Sequence, residues 1–292
     1  MKDKINLENI RKSKTLKELL EFSIINLDKP ASPTSFQTAE QVGKILQELG
    51  VNKFCHFGTL DPEVTGVLPI GLNRACKLSE WFMKKIKTYV GIMKLHKEIS
   101  RDKLEEEMKK FLGKIMQLPP VKSRVKREIR EREVYRWKII EFDKENKQVL
   151  FEAEVQAGTY IRKLISDLGE KIGGAHMAEL RRIQAGVFKE NDKSFCNLYE
   201  LEKAVEEAKN GNEQSLKELI VPAEIIGEIL PVIQVKEELI PKLLNGRPLF
   251  KEDFDFEIKE DLFCLFSGER FIGVYKKVTE DGVLARVEFV MN

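Results

Sequence analysis

The sequence predicts an α+β protein: a large unit of interleaved strands and helices, followed by a small β-rich unit. Three observations lead there. From Phe22 to about residue 228, apolar residues recur at spacing two in some stretches and at spacings of three and four in others, so strands and helices mix along the chain. After Pro231 short strand-like runs joined by glycine turns take over. The composition, 42% hydrophobic and 34% charged over 292 residues, is that of a soluble globular chain long enough for a sizeable core.

Residues 1–21 are charged with sparse apolar positions and read as an arm that orders on another surface. Phe22 to Leu27 is a predicted strand, closed by Asp28-Lys29-Pro30. Thr34 and Gln37 have capping-box spacing, and Val42, Ile45, Leu46 and Leu49 share one helical face before Gly50. Tyr89 to Leu95 alternates as a strand; Leu104, Met108, Phe111 and Leu112 mark a second helix ended by Gly113. Val134 to Phe142 and Gln148 to Val155 read as paired strands, and Ile161, Leu164, Ile165, Leu168 and Ile172 as the inner face of a third helix. Tyr160 and Arg162 then lie off that face, near the helix start, where they can reach a cleft. Ile183 to Phe188 suggests a strand with a glycine bulge, and Asn197 with Glu200 starts a helix running to about Ala208. Val232–Val235, Leu262–Phe266, Phe271–Lys277 and Val283–Val290 are the predicted strands of the last unit.

Charge and cysteine usage narrow the function classes. Fifty Lys and Arg against 48 Asp and Glu leave a net charge of +2, so any nucleic-acid contact must come from local patches. One such patch is Val121 to Arg132, where Lys122, Arg124, Lys126, Arg127, Arg130 and Arg132 face only Glu128 and Glu131. A proline-led basic hairpin of this kind either is a solvated tip or grips phosphates. Four scattered cysteines and three histidines suggest a reduced protein without structural zinc. No nucleotide-binding glycine loop occurs, so no cofactor is expected. No signal-peptide core or membrane span is evident, which places the chain in the cytoplasm, without membrane contact.

The stretch from Cys55 to Gly71 carries the strongest chemical signal. Gly58 and Pro62 bracket Thr59-Leu60-Asp61, and the proline biases Asp61 toward extended backbone on a short stiff loop. A carboxylate fixed there can serve as nucleophile or general base; the plainer alternative is an Asx-type turn in which it caps local backbone.

Four motifs, in order, resemble the TruB/dyskerin family of RNA pseudouridine synthases, most closely its archaeal and eukaryotic guide-RNA-dependent branch. They are Asn26-Leu27-Asp28-Lys29-Pro30; Gly58-Thr59-Leu60-Asp61-Pro62 with Thr65-Gly66-Val67-Leu68-Pro69; Gly158-Thr159-Tyr160-Ile161-Arg162; and Gly174-Ala175-His176-Met177-Ala178-Glu179-Leu180-Arg181-Arg182. The resemblance implies a mixed, mainly antiparallel sheet with flanking helices over 22–228 as the catalytic domain, and a small RNA-binding β-barrel of PUA type over 229–292. It implies that Asp61 is the catalytic carboxylate, paired with Arg162, with Tyr160 beside the uracil. Tyr89 would stack on the base, and Leu180 would wall the pocket. His56, Lys29, Lys122, Arg124 and Arg127 would touch substrate RNA. The implied partners are an H/ACA guide RNA, substrate RNA (rRNA, with tRNA as a second class), a small zinc-binding protein, a β-barrel protein and a kink-turn-binding ribosomal-type protein. Two other readings stand beside this one: a stand-alone enzyme of the tRNA TΨC loop, and a catalytically silent RNA-binding scaffold. The chain departs from the family pattern at Cys55, at Phe57 and at Ile183-Gln184-Ala185. It also carries an acidic run, Asp253, Asp255, Glu257, Glu260 and Asp261, in the last unit.

Overall fold

A computed structural model describes residues 5–119, 126–254 and 256–292. Ten strands form one sheet whose main path runs Ile220–Pro222, Phe22–Lys29, Thr65–Asn73, Ala175–Ala185, Lys87–Leu95, Gln148–Val155, Arg130–Asp143 and Gly113–Gln117. Phe54–His56 pairs with Thr65–Asn73, and Phe188–Lys189 with Ala175–Ala185. Every pairing in this sheet is antiparallel except one, among the described residues. Thr65 and Gly66 run parallel to Arg181 and Arg182. The loop bearing Asp61 enters the sheet at that junction.

Phe22–Lys29 and Thr65–Asn73 are buried on both faces, whereas Lys87–Leu95 and Gln148–Val155 bury one face because they alternate. Along Lys87–Leu95, Tyr89, Gly91, Met93 and Leu95 turn inward while Val90, Ile92 and Lys94 are half-exposed. The inward residues meet the helices Ser35–Leu46, Arg101–Lys109, Ile161–Ile172 and Leu198–Lys209 in the main apolar core. The first of these starts with the predicted capping box, Thr34 accepting from the Gln37 backbone while the Gln37 side chain reaches back. Phe111 and Leu112 lie beyond the second helix, in the turn into Gly113–Gln117, so that helix is shorter than its apolar spacing suggested.

A second sheet has the order Val232–Gln234, Leu262–Ser267, Arg270–Lys277, Val283–Val290 and Leu249–Phe250. One apolar cluster joins it to the large sheet: Phe22, Ile24, Val67 and Phe188 pack with Cys264, Phe266, Phe271 and Val274. Phe22 is central, stacked on Phe271 at 5.2 Å and on Phe289 at 6.2 Å. Phe22→Leu is expected to remove both ring pairs and cost about 1–3 kcal/mol. Urea unfolding with a fluorescence and a circular-dichroism readout tests this; an unchanged midpoint would refute the role of Phe22.

Two expectations are corrected. The arm orders on this chain itself: Leu7–Ser13 and Leu16–Glu21 are helices that bury Ile10, Leu16, Leu19 and Leu20. Polar ties fix its path, from Lys14 to Glu224, from Arg11 to the Ile220 carbonyl (3.3 Å) and from Asn9 to Glu269 (3.2 Å). Gly186 does not form a bulge; with φ of 62° it turns the chain so that Phe188–Lys189 pairs back as a hairpin. No helix among the described residues is long and apolar enough to cross a membrane.

Candidate active site

Asp61 sits on the loop between Phe54–His56 and Thr65–Asn73, and side chains from three distant segments hold the loop's backbone. Ser35, in the first turn of its helix, clamps Leu60: the Leu60 N–H donates to Ser35 Oγ (2.8 Å), and that hydroxyl donates to the Leu60 carbonyl (3.0 Å). Lys29 Nζ donates to the carbonyls of Pro30 (2.8 Å), Pro62 (2.7 Å) and Val64 (3.0 Å). Arg182 donates from Nε to the Val67 carbonyl (2.7 Å) and from Nη2 to the Gly58 carbonyl (3.0 Å), bridging the two ends of the loop. Both cations are essentially inaccessible. Burial lowers the Lys29 ammonium below the usual lysine range, with Arg182 adding to the shift and Glu63 and Asp61 opposing it.

The loop needs its glycines. Gly58 and Gly66 have φ of 124° and 99°, and a Cβ on Gly66 would lie 2.2 Å from the Arg182 carbonyl oxygen. Gly66→Ala is therefore expected to lose roughly 1–3 kcal/mol of stability. Thermal unfolding tests it; a wild-type melting temperature would show that the loop relaxes freely.

So held, the Asp61 carboxylate stands half-exposed and accepts a hydrogen bond from Arg162 Nη2 at 2.5 Å, across 101 residues of sequence. This ion pair, not a local turn cap, engages its Oδ2. Arg162 lies in the first turn of Ile161–Ile172, and the backbone before it is pinned by a side chain. The Tyr160 N–H donates to Gln117 Oε1 (3.0 Å), and Gln117 Nε2 donates to the Tyr160 carbonyl (3.2 Å). Tyr160 itself, the residue just before that helix, is half-exposed. Tyr89 and Leu180 are each 8% exposed, on adjacent strands. Tyr89 stands directly across from Arg182 on the neighbouring strand. Opposite Leu180, Gly91 leaves room that a Cβ would take, 2.8 Å from the Leu180 side chain.

The other expected RNA contacts divide. His56 is half-buried at the end of its strand, opposite Ile70. Arg127 is exposed on the basic segment. Lys122 and Arg124 lie outside the described residues. Lys29 is corrected from a substrate contact to a support of the loop, because its ammonium is buried and spent on three carbonyls. Ser35, Gln117, Arg182 and Lys87 were not anticipated. Lys87 is buried beside Arg182, donates to the Met83 (3.2 Å) and Lys85 (2.6 Å) carbonyls, and burial pushes its amine down to about 7. The available signal was alternation: of Arg181 and Arg182 on one strand, one must face inward. Arg181 faces out and holds Asp28 at 2.9 and 3.0 Å and Glu190 at 2.9 Å.

One half-exposed carboxylate, oriented by a guanidinium and carried on a loop tied down by buried cations, suits chemistry on a polyanion. That is the class of a nucleic-acid base-modifying enzyme. Residues 46–101 match the model of the TruB family pseudouridylate synthase N-terminal domain, and residues 162–226 match the tRNA pseudouridylate synthase B C-terminal domain. The "Probable tRNA pseudouridine synthase B" of Methanothermobacter thermautotrophicus is 40% identical over 232 residues, covering 79% of this chain and 69% of that protein. Its counterpart in Thermococcus onnurineus is 43% identical over 232 residues, covering 79% and 68%. In a crystal structure of a Cbf5-Nop10-Gar1 complex, one chain superposes with a TM-score of 0.87 at 34% identity, covering 96% of this chain and 88% of that one. A chain of an H/ACA RNP bound to a substrate RNA containing 2′-deoxyuridine superposes at 0.85 with 32% identity, covering 97% and 89%. The chain belongs to the TruB family of pseudouridine synthases, RNA-modifying isomerases.

Proposed function

We propose that this chain is the uridine-isomerising subunit of an H/ACA guide ribonucleoprotein, with Asp61 as its catalytic carboxylate. The observation that carries the catalytic part is the Asp61–Arg162 pair at 2.5 Å, on a loop whose backbone is tied down by Ser35, Lys29 and Arg182. Asp61 supplies the negative charge that opens the N-glycosidic bond of a flipped-out uridine. Arg162 aims that carboxylate through their hydrogen bond. Tyr89, Tyr160 and Leu180 flank the freed uracil while it turns and rejoins the sugar through C5. Atoms and oxidation state are the same before and after, so the reaction itself calls for no cofactor.

The guided mode is supported by superposition along nearly the whole chain on proteins solved in Cbf5-Nop10-Gar1 and H/ACA RNP assemblies. In that mode base pairing with the guide reads sequence, and the protein needs shape-reading basic surfaces such as the segment containing Arg127. Residues 22–228 would form the catalytic domain and 229–292 a PUA-type RNA-binding unit. A small zinc-binding protein, a β-barrel protein and a kink-turn-binding protein would complete the particle. A second reading has its own support, since the curated relatives are named tRNA pseudouridine synthase B. The deciding experiment labels pseudouridine chemically after incubating the chain with unmodified tRNA alone, then with guide-matched RNA, H/ACA guide and the partner proteins. Conversion is expected to need the guide. Efficient tRNA conversion by the chain alone, with no gain from guide or partners, would overturn the guided mode.

A further inference from the structure

Two cysteines outside the site lie against each other behind it. Cys55 is in the strand Phe54–His56, directly across from Gly71, and Cys76 is in the short 3-10 turn Arg74–Leu78 that follows the same partner strand. Cys55 Sγ lies 3.8 Å from the Cys76 carbonyl oxygen, and Cys76 Sγ lies 3.3 Å from the Gly71 carbonyl oxygen. Both cysteines are half-buried, within reach of a small oxidant. Cys196 and Cys264, by contrast, are buried in apolar clusters.

We infer that Cys55 and Cys76 form a reversible disulfide under peroxide, and that this cross-link displaces the Asp61 loop. The two thiols are unequal in the sense that this chemistry needs. The neighbouring Cys55 side chain and the nearby Lys53 ammonium hold Cys76 below the usual thiol range, whereas the neighbouring Cys76 side chain and burial hold Cys55 far above it. The Cys76 thiolate attacks one peroxide oxygen, the O–O bond breaks, and a sulfenic acid and hydroxide result. The Cys55 thiol then attacks the sulfenic sulfur, the S–S bond forms, the S–O bond breaks, and the hydroxyl leaves as water with the Cys55 proton, while the proton lost by Cys76 turns the first-step hydroxide into water. In total two thiols are oxidised by two electrons, and one hydrogen peroxide becomes two waters.

The geometric consequence follows from what each cysteine is attached to. A bond of about 2.05 Å must draw both sulfurs off their carbonyl partners and toward each other, so their segments must move. Phe57, two residues after Cys55, cannot absorb that movement: its ring is stacked on Phe82 at 4.9 Å and fills the space above Gly71, where a Cβ would be 2.6 Å away. Gly58 and Asp61 come next. On the other side, the Cys76 turn runs into the helix Ser79–Met83, and the Met83 and Lys85 carbonyls hold Lys87, two residues before Tyr89. The cross-link would therefore tie together the two segments that deliver Asp61 and Tyr89, and displacements on the order of 1 Å at reacting groups cost up to about 100-fold in rate.

The test treats the full chain with hydrogen peroxide, digests it with trypsin without reduction, and measures activity before and after dithiothreitol. The expected product is the peptide 54–74 joined to the tripeptide 75–77, lighter by two hydrogens than the two separate peptides. With it, kcat should fall at least about tenfold, KM for RNA should hold, and dithiothreitol should restore the rate. Cys55→Ser and Cys76→Ser should keep the untreated rate and give no linked peptide. The peptide measurement stands whatever the substrate, and only the rate measurement rests on the proposed function. Cys76 carried to the sulfinic acid with no linked peptide would overturn the disulfide. A linked peptide with unchanged kcat would overturn the coupling to the site.

Discussion

Asp61→Asn is expected to lower kcat by roughly 10⁴-fold or more while leaving KM for RNA and the melting temperature near wild-type values. The substitution keeps the size of the side chain and removes its charge. Apart from the Arg162 bond, which an amide oxygen can still accept, the loop is fixed by bonds to main-chain groups of Gly58, Leu60, Pro62, Val64 and Val67. The fold should therefore be unaffected, and the loss should be chemical. Single-turnover conversion of a cognate uridine, followed by pseudouridine labelling, measures it. Retention of full activity would remove Asp61 from the mechanism and leave the scaffold reading standing.

Arg182→Met should produce a mixed result, because Arg182 bridges both ends of the Asp61 loop from underneath. The carbonyls of Gly58 and Val67 would each lose a buried donor, at about 1–3 kcal/mol apiece. In the protein that remains folded, a looser Asp61 should lower kcat on the order of 100-fold. Arg182→Lys supplies the control. Its single ammonium is shorter and cannot serve Gly58 and Val67 in the guanidinium's fork geometry, so part of the stability should return but little of the rate. Wild-type kcat in folded Arg182→Met would show that the loop keeps its shape without this bridge.

Much of the fold was legible because local chemistry and tertiary structure agree. The capping pair Thr34 and Gln37 does what its spacing indicated, and the apolar stripe from Ile161 to Ile172 faces the core as expected. The arm was not legible because its buried residues, Ile10, Leu16, Leu19 and Leu20, are few, and nothing in them says that the surface they cover belongs to the same chain. At the site, Asp61 and Arg162 were legible through motifs. Lys29 was misread because lysine is almost always exposed, and a buried one declares itself only when its acceptors, three main-chain carbonyls, are seen. Arg182 was missed for a related reason. Alternation says that one of two neighbouring arginines points inward, but which one depends on pairing with strands far away in sequence.

The parallel junction beside the Asp61 loop has a bearing on how this protein tolerates mutation. The acceptors that fix the loop are main-chain carbonyls of Gly58, Leu60, Pro62, Val64 and Val67, and a carbonyl survives replacement of the side chain next to it. Robustness is thus distributed unevenly: side chains such as Val64 and Val67 can drift within the limits of packing without loss of the loop's anchoring. The fragility is concentrated in three donors, Lys29, Ser35 and Arg182, that lie far apart in sequence and for which no neighbouring residue can substitute.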